Sequence, residues 1–247
     1  MTNCRTENTP QCGHSSATDD DALDKDLVQK YPSHVGSFMH LSNSTRPDIS
    51  QAVNTLARYS TSPTKLAWAA GFWELQYPAR HPTKGLLYNS NKSSLQGYWD
   101  ANWAGDLETR RSTSRFVFVL HGGPVAWQSK LQSTVTCSTC EVDYQAAGMA
   151  AREALWLDKL LPEIGEPNWA VPILFDSQST LALIKNPMVT ARSKDIEVIH
   201  HFTWEKAFEG LLVFEYEHSD SNWADFLSKE VPCIKFEACI MHIGMGH

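Results

Sequence analysis

Gly97-Tyr98-Trp99-Asp100-Ala101-Asn102-Trp103-Ala104-Gly105 is the stretch that decides the fold, because it predicts a buried strand that ends in a carboxylate. The predicted strand covers residues 95–101. Burial penalises an ionised carboxylate unless a cation or hydrogen bonds neutralise it. Asp100 is therefore a candidate ligand for a cation at the end of this strand.

Three further carboxylates stand at comparable places in the sequence. Glu141 lies in the first turn of a predicted helix, Asp176 follows a predicted buried strand over 171–175, and Asp225 opens a predicted last helix. Ligand sites of mixed sheets lie where strands end and helices begin, so we expect the four side chains to converge at one such site. Carboxylates shared by two Mg²⁺ ions would activate a water and stabilise the leaving oxygen of a phosphodiester.

Two of these acids also have a simpler explanation. Glu141 and Asp225 stand at predicted helix starts, where an acid caps the helix or favours the positive end of its dipole. Taken alone, Asp225 is better explained as a cap, and Glu141 fits either interpretation equally well. Asp100 and Asp176 end apolar strands without an obvious turn, and the set of four favours the metal site.

Hydrophobic periodicity predicts the element order β-β-β-α-β-α-α-β-α from residue 95 onward. Such an order is typical of the α/β class, a mixed sheet flanked by helices. Before it, residues 27–60 predict helices with a start at 44–48, and 63–75 predict another helix that Pro78 should stop. We therefore predict a disordered or extended segment over 1–26, a helical unit over 27–94, the sheet domain over 95–231 and a C-terminal tail over 232–247.

Composition excludes several classes of function. The 247 residues contain no apolar run as long as a membrane span, and the first residues lack the apolar stretch of a signal peptide, so we expect an intracellular protein, cytoplasmic or nuclear, without a membrane partner. Its six cysteines lack a disulfide framework spacing. The net charge of −7 argues against tight, stand-alone nucleic-acid binding, because phosphate contacts need Lys and Arg. It does not argue against an enzyme whose acidic centre binds metal ions.

Five motifs, together with shorter matches upstream at 3–4, 9–10, 35–37 and 45–49, resemble one family over nearly the whole chain. They are GYWDANWAGD at 97–106, RRSTSRF at 110–116, STCEVDY at 138–144, FDSQST at 175–180 and WADFLSK at 223–229. These words are similar to GYSDADWAGD, RKSTSGY, SSTEAEY, CDNQSA and LADILTK of the carboxy-terminal part of copia-type LTR retrotransposon Pol polyproteins. That part comprises the reverse-transcriptase tail and the ribonuclease H domain.

The resemblance implies a ribonuclease H-like fold over 95–231, preceded by a small helical remnant of the reverse-transcriptase tail. It implies that Asp100, Glu141, Asp176 and Asp225 are the catalytic residues and bind Mg²⁺, for which Mn²⁺ can substitute. The implied reaction is endonucleolytic hydrolysis of the RNA strand of an RNA–DNA hybrid, with selectivity from the 2′-hydroxyl. The chain contains no Tyr-x-Asp-Asp palm motif, so a palm supplied by another chain would be a further partner.

Other side chains are candidates for contact with the nucleic acid. Phosphate contacts are predicted for Arg110, Arg111, Lys130, Arg192 and Lys194. Trp103 beside Asp100 is a candidate for base stacking, and His218 before the last predicted helix is a candidate for proton transfer. For each of them, a solvated surface side chain is the alternative.

Departures from the family pattern support a second hypothesis, an inactive ribonuclease H-like relic or interaction module. Arg115 stands where the family has glycine, which would strain a turn if that position has a positive φ. Residues 71–81 retain a single arginine where the family is rich in Lys and Arg. A third candidate, another metal-dependent enzyme on the same fold such as an integrase, is disfavoured because the flanking motifs match ribonuclease H.

Overall fold

The computed structural model describes residues 9–10, 24–89, 93–106, 109–136, 138–167, 170–185, 197–227 and 231–246. Most of the segment predicted to be disordered, 1–26, lies outside these residues. The helices are α1 (Lys25–Ser44), α2 (Ser50–Ala57), α3 (Lys65–Arg80), α4 (Thr139–Glu163), α5 (Gln178–Lys185), α6 (Glu197–Phe208) and α7 (Cys233–His242). The strands are β1 (Gly85–Leu86), β2 (Gln96–Asn102), β3 (Thr113–Leu120), β4 (Gly123–Leu131), β5 (Val171–Phe175), β6 (Leu212–Tyr216) and β7 (Met245–Gly246).

Strands β2 to β6 form a mixed sheet of five strands in the order β4-β3-β2-β5-β6. The three strands β2, β3 and β4 are antiparallel, whereas β5 and β6 run parallel to β2. Helices α4, α5 and α6 follow the strands in the predicted order. The predicted α/β class and the ribonuclease H-like mixed sheet flanked by helices are therefore confirmed.

A tight turn joins β3 to β4. His121 and Gly122 have φ values of 52° and 76°, and their neighbours Leu120 and Gly123 are paired. Two successive residues in the left-handed region match the right-handed twist of a hairpin, which is why glycine follows histidine here.

The register of β2 assigns its residues alternately to two cores. Trp99 and Phe116 are buried in one core with Tyr144 of α4, whereas Tyr98 and Val117 are buried in a second core on the opposite face. Because side chains alternate along a strand, Asp100 lies on the same face as Tyr98, opposite to the face that α4 covers.

The helical unit before the sheet contributes to the second core through Phe38, Ile49, Val53 and Tyr77. The helix start predicted at 44–48 corresponds to a 3₁₀ turn, Pro47–Ile49, which leads directly into α2. The prediction that Pro78 stops the following helix is wrong, since α3 continues to Arg80. Proline removes a single backbone donor, and this loss is tolerated because the helix ends within the same turn. The predicted domain boundary at 94 stays a prediction.

The C-terminal stretch differs from the sequence-based expectation. Residues 232–247 were expected to form a tail, but α7 packs Phe236 and Ile240 into the second core, and β7 pairs with β1. The predicted last helix at 223–227 is instead a 3₁₀ turn, Asp225–Leu227. No helix in the described part of the chain has the length and apolarity needed to cross a membrane.

Helix α7 allows a test of this packing. We expect Ile240→Ala to lower the free energy of unfolding by about 2–4 kcal/mol, because it leaves a cavity in the second core. Ile234→Ala on the same helix is the matched control, since Ile234 is 85% exposed and Ile240 is 1% exposed. Urea denaturation of the full chain measures both, and equal stability of the two variants would contradict the packing described here.

Candidate active site

Asp100 and Arg115 form the centre of the candidate site. They lie opposite each other in the antiparallel pair β2–β3, so their side chains project from the same face. Arg115 Nη2 donates a hydrogen bond to Asp100 Oδ2. The Arg115 side chain is 1% exposed and the Asp100 side chain 12% exposed, so the ion pair is shielded from water. Arg115 lies within a strand and is not among the residues with positive φ, so the strain predicted for this position is absent.

The ion pair keeps Asp100 ionised. Burial opposes its ionisation, but the charge of Arg115, a hydrogen-bond contact with Asp225, and hydrogen bonds from Arg115 and the Ala101 N–H together hold the pKa of Asp100 below its usual value. A buried carboxylate with such partners stays negative at neutral pH.

Asp176 lies beside Asp100 at the same end of the sheet. In the parallel pair β2–β5, Gly97 is level with Ile173 and Tyr98 with Leu174. Continuing this register by two residues brings Asp176 level with Asp100. The extended register thus puts the backbones of Asp100 and Asp176 at the carboxyl ends of neighbouring strands, and the joint role of their side chains stays a prediction.

Asn222 positions the loop that carries Asp225. Its side chain is fully buried, donates to the Trp99 carbonyl at 3.1 Å and accepts from the Ala224 N–H at 3.2 Å. Asp225 therefore lies next to β2, in contact with Asp100. Asp225 Oδ2 is 3.9 Å from Lys235 Nζ of α7.

Lys235 is a site residue that the sequence does not reveal, because it lies in the stretch predicted to be a tail. Its ammonium group donates to the Ser219 carbonyl at 3.1 Å and to the Asp220 carbonyl, and it lies 5.3 Å from the centre of the Trp223 ring. These contacts hold the second cation of the site close to Asp225.

The first turn of α4 contributes Glu141 and Asp143. Ser138 caps this helix by accepting the Glu141 N–H at 3.2 Å, and the Glu141 side chain is half-buried. Asp143 was not predicted as a site residue, but Thr180 of α5 donates to its carboxylate at 3.1 Å. The sequence carries a signal for it, because Asp143 precedes the buried Ala147 and Ala150 by four and seven residues, on one helical stripe.

Asp143 differs electrostatically from Asp100. Burial raises the pKa of Asp143 to about 6 against the opposing hydrogen bonds from Ser177 and Thr180, and the negative charges of Asp100 and Asp176 add to the increase. The charge interactions show that Asp143 belongs to the same acidic neighbourhood. No cation among the described residues is paired with Asp143, so its burial and the neighbouring negative charges both favour its protonated form.

A divalent ion at Asp100 does not fit this arrangement. Two like unit charges 4 Å apart repel by about 4 kcal/mol at an effective dielectric constant of about 20, and a divalent ion beside a guanidinium by about twice that. Arg115 therefore opposes Mg²⁺ at the carboxylate that it already neutralises. In the described residues, no three His, Cys, Asp or Glu side chains are placed to bind one metal ion. The predicted metal-binding roles of Asp100, Glu141, Asp176 and Asp225 stay predictions.

The candidate nucleic-acid contacts surround the same end of the sheet. Trp103 directly follows β2 and is 51% exposed, Arg110 is exposed with a φ of 54°, and Arg111 is half-buried. Lys130 near the end of β4 is exposed. His218 is exposed and caps a 3₁₀ turn by accepting the Asp220 N–H at 3.3 Å. Arg192 and Lys194 lie outside the described residues.

Comparison with known proteins identifies homologues of this chain. No protein-family model matches it. It is 36% identical over 99% of its length to the retrovirus-related Pol polyprotein from transposon TNT 1-94 of Nicotiana tabacum, and 33% identical over 87% to that from transposon RE2 of Arabidopsis thaliana. The chain spans 19% and 15% of these polyproteins. It is also 44% identical, over 51% of its length and 90% of the other protein, to the secreted RxLR effector protein 161 of Plasmopara viticola.

Solved structures similar to this chain are ribonuclease H domains. LC11-RNase H1, isolated from compost by a metagenomic approach, is 16% identical to this chain with a TM-score of 0.42. The matched region covers 55% of this chain and 92% of the LC11-RNase H1 chain. The structure of LC11-RNase H1 in complex with an RNA/DNA hybrid has a TM-score of 0.38, again with 16% identity. The matched region covers 55% of this chain and 94% of that chain. The order β4-β3-β2-β5-β6 of the mixed sheet and the homologous polyproteins agree with the ribonuclease H-like domain that the sequence motifs predict.

The raised pKa of Asp143 predicts a pH-dependent stability. The folded state binds a proton at Asp143 more tightly than the unfolded state. The free energy of unfolding therefore falls as pH rises from about 4 to about 6, and the contribution of this proton is fully lost above that range. We expect Asp143→Asn to raise the free energy of unfolding at pH near 7.5 by about 2–3 kcal/mol, because a shift of one pKa unit corresponds to about 1.4 kcal/mol. The gain should shrink as pH falls towards about 4, where Asp143 is largely protonated in the folded wild type and partly protonated in the unfolded chain.

Urea denaturation of wild type and variant at the two pH values measures this gain. Asp220→Asn is the matched control, since the Asp220 side chain is 92% exposed. A gain from Asp143→Asn that is the same at both pH values would contradict the assignment.

Proposed function

We propose that this chain, which belongs to the retrovirus-related Pol polyproteins of copia-type transposons, is their ribonuclease H-like module and binds an RNA–DNA hybrid at the carboxylate end of its sheet. The observation that supports this proposal is the register of β2 with β5, which brings Asp100 and Asp176 to one level. Trp103, Arg110 and Lys130 are exposed around the same end.

The chemistry of these exposed side chains suits a hybrid. Arg110, Arg111 and Lys130 supply positive charge for backbone phosphates, and the exposed ring of Trp103 offers a stacking surface for a base or sugar. Preference for the RNA strand would come from contacts to its 2′-hydroxyl groups. Because the whole chain carries a charge of −7, few cations act at this surface, so we expect weak binding of the hybrid that is best measured at low salt.

The bound hybrid has two candidate fates, which are binding with little or no cleavage and hydrolysis of its RNA strand. The Asp100–Arg115 pair favours a module that holds the hybrid and cuts it slowly or not at all, because the central carboxylate already has its cation. The second candidate is hydrolysis of the RNA strand in the presence of Mg²⁺ or Mn²⁺, with Asp100, Glu141, Asp176 and Asp225 as catalytic residues. The closeness of Asp100 to Asp143 and Asp225, and of Asp143 to Asp176, favours this second candidate. In either case a reverse-transcriptase palm from another chain is a proposed partner.

Hybrid binding can be tested through Lys130. We expect the protein to bind a labelled RNA–DNA hybrid at low salt, and Lys130→Ala to lower the slope of log K against log salt by about 1, because one phosphate contact is lost. Lys185→Ala is the matched control, since Lys185 is exposed at the end of α5 that lies away from Asp176. Fluorescence anisotropy measures both variants. A folded protein that fails to bind the hybrid at low salt would overturn the proposal.

Cleavage of the same hybrid separates the two reactions. Wild type and Asp176→Asn are incubated with the labelled hybrid in Mg²⁺ and in Mn²⁺, and the RNA strand is analysed on a denaturing gel. We expect binding without appreciable cutting by either protein. Metal-dependent cutting by wild type that Asp176→Asn abolishes would establish the hydrolase instead.

A further inference from the structure

Arg115 is an unusual residue for the interior of a sheet. Its guanidinium carries a full charge at any physiological pH, yet its side chain is 1% exposed. Nη2 binds Asp100, whereas Nε and Nη1 are buried and have no hydrogen-bond partner among the described residues. A buried cation with two unpaired donors is costly, so the negative charge of Asp100 is the interaction that keeps it there.

The backbone prevents Arg115 from leaving this place easily. It lies in β3, which is hydrogen-bonded to β2 on one side and to β4 on the other, opposite Asp100 and Ser129 respectively. Its neighbours Ser114 and Phe116 are buried on the other face. The backbone of Arg115 is therefore held from both sides, and the guanidinium can move only through the rotamers of its own side chain.

Lys235 completes a charge balance around the two carboxylates. Asp100 faces Arg115, Asp225 lies 3.9 Å from Lys235, and Asp100 and Asp225 are in contact with each other. The two acidic side chains are thus flanked by two positive groups of the same chain. Helix α7 supplies the second cation, and its burial in the second core keeps Lys235 in place.

We propose that Arg115 and Lys235 are the resident cations of this acidic centre and take the place of a divalent ion at Asp100 and Asp225. The wild-type centre is consequently closed to Mg²⁺ and Mn²⁺ at Asp100, and removal of Arg115 converts it into a metal-binding site. This inference is independent of hybrid binding, since it concerns the protein alone.

Manganese binding to the protein without nucleic acid tests the proposal. Electron paramagnetic resonance of free Mn²⁺ gives the bound fraction for wild type, Arg115→Ala and the double variant Arg115→Ala/Asp100→Asn. We expect Arg115→Ala to gain a site with at least about tenfold higher affinity than any site of the wild type, because a repelling charge is removed. The double variant should lose that site. Arg152→Ala, which removes an exposed arginine of α4, should behave as wild type.

Thermal unfolding supplies a second readout that a purely structural role of Arg115 would not produce. Without metal, Arg115→Ala should melt below wild type, because Asp100 is left buried and uncompensated. Millimolar Mn²⁺ or Mg²⁺ should restore part of the lost melting temperature in Arg115→Ala, and should leave wild type and the double variant unchanged. No restoration in a folded Arg115→Ala protein would overturn the proposal.

Two further measurements keep the proposal testable if Arg115→Ala does not fold. Arg115→Met removes the charge while filling most of the volume, and it should gain the same Asp100-dependent site. Wild type can also be compared with Asp100→Asn alone. Equal, weak Mn²⁺ binding by these two proteins supports the proposal, whereas a wild-type site that Asp100→Asn abolishes overturns it.

Discussion

The pairing of β2 with both of its neighbours is the constraint on which the rest of the structure depends. Because β2 is hydrogen-bonded to β3 and to β5, its register is fixed from both sides. A slip by one residue would exchange its two faces and move Trp99 from the core that α4 covers into the second core, which it does not fit. The same register sets Asp100 opposite Arg115 and level with Asp176. Packing of the apolar residues thus decides the partners of the acidic ones.

Charge balance inside the protein follows from this geometry. A carboxylate such as Asp100, whose side chain is 12% exposed, must be neutralised, and in this chain the nearest cation is covalently part of the next strand. Elsewhere, Arg46 and Asp48 form a buried ion pair in the same way, with 2.8 Å between Arg46 Nη2 and Asp48 Oδ2. Asp143 is paired with no cation among the described residues, and its burial raises its pKa. The protein therefore tolerates neighbouring buried acids in two ways: Asp100 is paired with a cation, and Asp143 has a raised pKa.

The second core connects segments that are distant in the sequence. Phe38 and Tyr77 from the helical unit, Tyr98 from the sheet and Ile240 from α7 share it. Because α7 brings Lys235 to Asp225, the residues beyond the motif-bearing region take part in the site. The face of the sheet that carries Asp100 is therefore covered by elements from both ends of the described chain, whereas α4 covers the opposite face.

The sequence by itself determined the class of fold, the order of the elements and the positions of Asp100, Asp176 and Asp225 at strand and turn boundaries, because hydrophobic periodicity and local motifs are properties of neighbouring residues. Only the tertiary structure decided that Arg115 faces Asp100, that Lys235 approaches Asp225 and that Asp143 belongs to the acidic neighbourhood. These contacts join residues that are 15, 10 and 43 positions apart, and strand register and helix docking, which depend on the packing of the whole core, determine them. The sequence shows which acids the chain contains, whereas the packing shows which cations neutralise them.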